Sequence, residues 1–298
     1  MHVPYKLTGT AVDAGRGFSM TAGYAARLQA SGEQAAMRGR GAAGRPLPRL
    51  RVPLPFDAAA DKAPRTPPTE PRKGENAVEF SLENWTAGYA ARLHEIFPGR
   101  VLFIGLQGSR ARGEAGPDSD IDMVVVLDRV ELADLEAYRR MIATLPDTEK
   151  CCGFFCGRKE LAGWPPFDAL ALALDTRPLY GELEGLLPPC RAETVREALR
   201  VSAANLYHAL CHGWLYEGDP AHVLDARLKE AFFAVRLAQL AKTGVYTGAA
   251  RDLAQRLPPD SREAAILRLY QRRGCLESAE IPGTFRLLLE WSSAALTS

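Results

Sequence analysis

Residues 101–128 read VLFIGLQGSRARGEAGPDSDIDMVVVLD. An apolar run from Val101 to Leu106 leads into Gly108-Ser109, a polar stretch follows, and a second apolar run opens with Asp120 and Asp122. The pattern predicts strand, turn or short helix, strand. Side chains alternate across a strand, so Asp120 and Asp122, two apart, share one face while Ile121 takes the other. Two like charges side by side repel unless a cation sits between them. Paired hard oxygens suit Mg²⁺, which keeps waters and substrate phosphates in its remaining positions. Gly108 lets the backbone approach a phosphate closely, and the Ser109 hydroxyl with the N–H groups after it can donate to that phosphate. One half of the stretch grips a triphosphate; the other supplies its metal.

Either half alone is common in turns and strand edges. Their order between two apolar strands is the specific feature: Gly108-Ser109-Arg110-Ala111-Arg112-Gly113, then Ser119-Asp120-Ile121-Asp122. This arrangement, G-S-x-A-x-G followed by S-D-I-D, resembles the signature of the DNA polymerase β-like nucleotidyltransferase superfamily. The resemblance implies in-line attack of an acceptor hydroxyl on the α-phosphate of a nucleoside triphosphate, ATP foremost, with pyrophosphate as leaving group. It implies two Mg²⁺ ions on Asp120, Asp122 and a third carboxylate from a neighbouring strand that also acts as general base. Gly108, Ser109, Arg110 and Ser119 become the nucleotide-binding positions. Asp168 and Asp175 are the candidates for the third acid. They lie seven apart, so on one regular strand they face opposite ways and only one can point at the pair. Asp168 is favoured because it starts the predicted strand FDALALALD, as acids at the corresponding place do in the family; Asp175 can instead cap the turn that follows.

The chain has 298 residues, 47% hydrophobic and 24% charged, with a formal net charge of +1. That length accommodates two ordinary domains. The charge is uneven: residues 1–76 hold 12 Lys and Arg against 6 Asp and Glu, which leaves 25 against 30 for the remainder. A mildly acidic remainder argues against a large nucleic-acid-binding face. No apolar run approaches the roughly 20 residues of a membrane span, and no secretory leader is evident, so a cytoplasmic location is expected. The six cysteines (151, 152, 156, 190, 211, 275) read as reduced thiols rather than a disulfide framework. Cys151, Cys152 and Cys156 cluster, but no second Cys/His group completes a zinc site.

Residues 1–76 are rich in Gly and Pro and carry few periodic apolar positions, so they are expected to be a disordered tail. Within them TAGYAARL (21–28) recurs letter for letter at 86–93. Two copies are too few for a solenoid, and a partial duplication or a start codon set too far upstream explains them better. Residues 79–97 have helical spacing at Leu82, Trp85, Tyr89, Leu93, Ile96 and Phe97 with Ser81 as N-cap. A second helix is predicted over 131–145, then a strand at CCGFFCG, a helical turn at Lys159-Glu160 and the strand FDALALALD. This alternation predicts an α/β domain with a mixed sheet over 77–190.

From residue 191 the pattern is helical throughout: 192–216, 222–244, 261–273 and 284–296, with 248–257 as a shorter fifth. Short polar connections predict an up-and-down bundle. The arrangement resembles the helical domain behind the catalytic domain of kanamycin-type nucleotidyltransferases, and also bundles of the HEPN type. HEPN ribonucleases place four to six residues between an Arg and a following His, a spacing this chain lacks. His208 and His212 share a helix face with Asn205, but without the Glu of H-E-x-x-H they read as packed or cleft-lining histidines. Lys229 is a candidate phosphate contact.

The expected partners are a nucleoside triphosphate and a small-molecule acceptor, with neither a membrane nor a nucleic acid. Three functions remain open: AMP transfer to a small hydroxylated molecule, adenylylation of a partner protein by a regulatory or antitoxin-like module, and nucleotide binding without turnover.

Overall fold

The computed structural model describes residues 80–297. The readings made for the N-terminal tail, and for the first copy of TAGYAARL, lie outside those residues.

Helix α1 (Leu82–Ile96) begins where expected: the Ser81 side chain accepts from the Asn84 N–H at 3.3 Å. Strand β1 (Val101–Gln107) runs into the short helix α2 (Gly108–Arg112), and β2 (Ile121–Leu127) returns antiparallel beside β1. Helix α3 (Leu132–Ile142) crosses over to β3 (Cys151–Gly157), which pairs parallel with β2, as a βαβ unit requires. After the short helix α4 (Arg158–Ala162) and helix α5 (Pro166–Asp175), strand β4 (Arg177–Tyr180) joins the free side of β1. The order is β3-β2-β1-β4, a mixed sheet.

One segment differs from the expectation. FDALALALD is helix α5, not a strand, and the strand lies one step later at Arg177–Tyr180. The alternation of Ala and Leu imitates a strand's period. Neither residue is β-branched, however, and both rank among the best helix formers, while Pro166 at the first turn presets helical φ. Ala169, Leu170 and Leu172 are buried whereas Ala171 and Ala173 are exposed, a helical stripe. A consequence for function follows. Asp168 and Asp175 do not occupy a strand beside Asp120 and Asp122.

Strand alternation divides the sheet's side chains between two cores. Ile121, Met123, Val125 and Leu127 pack with Trp85, Tyr89 and Leu93 of α1 and Met141 of α3. Val124 and Val126 point the other way, onto Phe103, Leu161 and Leu172. Asp122 has the parity of Val124 and therefore opens toward the α4–α5 side. Arg100 locks the far end of the hairpin, donating to Asp128 at 3.0 Å and to both oxygens of Asp134 at 2.7 and 2.9 Å.

The rest is helical: α6 (Ala192–Tyr216), α7 (Pro220–Thr243), α8 (Ala250–Arg256), α9 (Arg262–Gln271) and α10 (Ile281–Thr297). Their shared core centres on Leu206, Leu210, Leu224, Leu228, Phe232 and Leu288. Each such side chain contributes about 1.5–3 kcal/mol by leaving water. A smaller apolar patch, Leu170 with Val195, Ala198 and Leu240, joins α5 to α6 and α7. No helix among the described residues is long and apolar enough to cross a membrane.

Candidate active site

The two halves of the 101–128 stretch meet at the end of the β1–β2 ladder, where Gln107 pairs with Asp122. Immediately after it Gly108 takes φ +73°, and a Cβ there would lie 2.0 Å from Asp122 Oδ2. Glycine is required twice over, by the left-handed backbone and by the carboxylate that fills its side-chain space. Any nucleotide phosphate that approached Gly108 would meet the Asp122 carboxylate at once. The Gln107 amide donates to the Ala171 carbonyl at 3.2 Å, anchoring the strand end to α5.

Arg110 and Ser119, expected as nucleotide contacts, hold the loop in this structure. Arg110 donates from Nε to the Ser119 and Asp120 carbonyls at 3.2 and 3.1 Å, and from Nη2 to Ser119 at 2.7 Å. The Ser119 hydroxyl accepts from the Gly116 N–H at 2.9 Å. These bonds fix the backbone just before β2 and so set where Asp120 stands relative to Asp122. Ser109 remains partly exposed on α2, its carbonyl accepting from the Glu114 N–H at 2.8 Å.

Burial, and then the negative charge of Asp120, push the Asp122 carboxyl above the usual carboxylate range. Lys229, Arg112 and Arg110 pull the other way without prevailing. Lys229 belongs to α7, so the helical region delivers positive charge to the sheet's acidic pair. A hard divalent cation would fit these two carboxylates, since its charge would offset both the burial and the Asp120 repulsion that raise Asp122.

The expected third carboxylate does not join them. Asp168 lies in the first turn of α5, where it accepts from Trp164 Nε1 at 2.6 Å. Asp175 ends α5 among Arg112, Arg236 and Tyr246. Among the described residues no group of three or more His, Cys, Asp and Glu is placed to hold a metal. On the strand beside β2, the register partner of Asp122 is Cys152. Parallel register puts both side chains on one face, so a thiol occupies the position from which an acid could have reached the pair. That residue, and the role of Arg112, escaped the sequence reading; strand pairing could have exposed the first, and nothing local signals the second.

His208 and His212 are exposed on α6, their rings 6.2 Å apart, and the His212 ring lies tilted against Tyr216 at 5.2 Å. They are neither packed in a core nor part of a metal group. All six cysteines are free thiols.

Residues 89–154 match the family model of the nucleotidyltransferase domain. No curated protein matches the chain. Among solved structures, the crystal structure of spectinomycin adenyltransferase AAD(9) from Enterococcus faecialis with ATP and spectinomycin is similar at 15% identity and a TM-score of 0.49, over 73% of this chain and 100% of that one. The family match encloses the Gly108-Ser109 turn, the Asp120/Asp122 pair and Cys152, so this part of the chain is similar to nucleotidyltransferase domains.

Proposed function

We propose that the protein transfers a nucleoside monophosphate, AMP from ATP, to a hydroxyl of a small-molecule acceptor and releases pyrophosphate. The observation that carries this reading is the contact of Gly108 with the Asp122 carboxylate, with Asp120 alongside and the charge of Lys229 arriving from α7. Asp120 and Asp122 would hold Mg²⁺, which when bound offsets phosphate charge and stabilises the leaving oxygen. Ser109 donates its hydroxyl to a terminal phosphate, and Lys229 pairs with the same triphosphate across the joint. Arg110 keeps the Ser119–Asp120 backbone in place while the acceptor oxygen bonds to the α-phosphorus, its proton passes to solvent water, and the bridge to the β-phosphate breaks to release pyrophosphate. The face of the helical region that carries Lys229 forms one wall of the acceptor cleft.

A second reading is favoured by one observation. With Cys152 rather than an acid opposite Asp122, a protein that binds nucleotide without turning it over also fits. Incubation with ATP labelled at the α-phosphate, against aminoglycosides and against lysate proteins in parallel, separates the cases. Label on the small molecule with pyrophosphate released is the expected outcome. Label only on macromolecules makes the protein a protein modifier, and ATP bound without any transfer makes it the idle form.

A further inference from the structure

The side chain of Asp175 is 7% exposed. Its Oδ1 accepts from Arg236 Nη1 at 3.0 Å and from the Tyr246 hydroxyl at 2.8 Å; its Oδ2 accepts from Arg236 Nη2 at 2.8 Å and Arg112 Nη1 at 3.0 Å. From there the network runs on. Arg112 Nε donates to Glu114 Oε2 at 2.9 Å, and Glu114 Oε1 accepts from the Ala250 N–H, the first of α8, at 2.6 Å. Arg236 Nη1 also donates to the Gly248 carbonyl at 3.1 Å. One carboxylate thus ties together the end of α5, the last residue of the Gly108–Arg112 turn and the α7–α8 corner of the helical region.

This knot is a poor means of gaining stability. Buried ion pairs often do no better than the apolar side chains that could replace them. Here, among the described residues, Arg236 Nε and the hydroxyls of Thr176 and Thr247, which flank the knot in sequence, are also buried without a hydrogen-bond partner. What such a network does supply is geometry: a bidentate guanidinium accepts few orientations. Lys229 stands seven residues before Arg236, two turns back on the same face of α7. Whatever fixes Arg236 fixes the approach of Lys229 to Asp122. Arg112, four residues past Gly108, fixes the turn from the other side.

We propose that the Asp175 knot is a positioning device that holds the Lys229 face of α7 against the Gly108–Arg112 turn, so that the triphosphate is gripped from both regions at once. The inference rests on reading that turn as the nucleotide site. Arg236, Tyr246 and Asp175 touch no substrate in this account; they act through Lys229 and Arg112.

The test uses the full chain and two mild variants, Tyr246→Phe and Arg236→Lys, with Tyr246→Phe chosen because it deletes a single hydroxyl and spares the fold. Hydrogen exchange reports the amides of residues 108–114, and calorimetry with Mg²⁺ reports the affinities for ATP and AMP. Faster exchange at 108–114 in both variants is expected, together with ATP affinity weakened about 3- to 30-fold while AMP affinity, which lacks the phosphates assigned to Lys229, stays put. Lower thermal stability with unchanged exchange at 108–114 and an unchanged ATP/AMP ratio would reduce the knot to a structural brace and overturn the proposal. Wild-type protein that binds no ATP would sink the nucleotide reading and the positioning role with it, whereas the exchange data alone would still reveal whether the two regions are coupled.

Discussion

Asp122 and Asp175 are both removed from water on the same side of the molecule, yet their environments pull them in opposite directions. For each, burial raises the carboxyl; at Asp175 the guanidinium groups of Arg236 and Arg112 overcome it and hold the carboxyl low, whereas at Asp122 the neighbour Asp120 adds to it. The protein compensates the first acid from within and leaves the second short of positive charge. That contrast separates an acid that builds the joint from the acid to which the proposed function assigns an external cation.

Removing the internal compensation has the largest expected effect. Asp175→Asn strands two buried guanidinium groups and costs about 3–5 kcal/mol, read as a lowered midpoint in urea. A loss below about 1 kcal/mol would erase the contrast. Gly108→Ala comes next. A methyl group 2.0 Å from Asp122 Oδ2 at φ +73° must displace the carboxylate, costing about 1–3 kcal/mol and eliminating nucleotide binding; binding retained at wild-type strength would mean that the contact is incidental.

Asp122→Asn sharpens the comparison because its two effects have opposite signs. Without divalent ions it stabilises the fold by on the order of 1 kcal/mol, since an ionised, raised carboxylate disfavours the folded state; a thermal melt in chelator measures it. In the wild type the same linkage makes stability rise as pH falls from the raised Asp122 value toward about 4, the unfolded value. Asp134 shows the reverse. Hydrogen bonds from Arg100 bring it down to about 2 against the opposing effect of burial. Its contribution is therefore complete above about pH 4 and disappears as pH falls toward 2. Arg100→Gln should flatten that acid limb of a pH-stability curve and leave the limb above pH 4 unchanged in slope. This is the smallest effect of the four.

Much of the sheet region was legible because its signals are local. Ser81 caps α1 where a serine before a helical stripe should, and β1 and β2 follow their apolar runs. The helices of the C-terminal region fall within a few residues of their periodic patterns, and α6 matches its predicted span. α5 was misread because alternating Ala and Leu satisfies two periods, and Pro165-Pro166 in front of it was the cue that decides between them. That error carried Asp168 to a strand it does not occupy. The partners of Asp175 were invisible for another reason. Arg112 is 63 residues away, Arg236 is 61 and Tyr246 is 71, and no spacing rule reaches across such separations. Cys152 needed the β2–β3 register, which only the folded sheet supplies.

Titration of wild-type protein and Asp122→Asn with ATP in the presence of Mg²⁺, followed by calorimetry, addresses the acidic pair most directly. Saturable binding to the wild type, weakened by at least about tenfold in the variant although its fold is as stable or more so, is the predicted result. Equal affinity in the two proteins would contradict a cation held by Asp120 and Asp122.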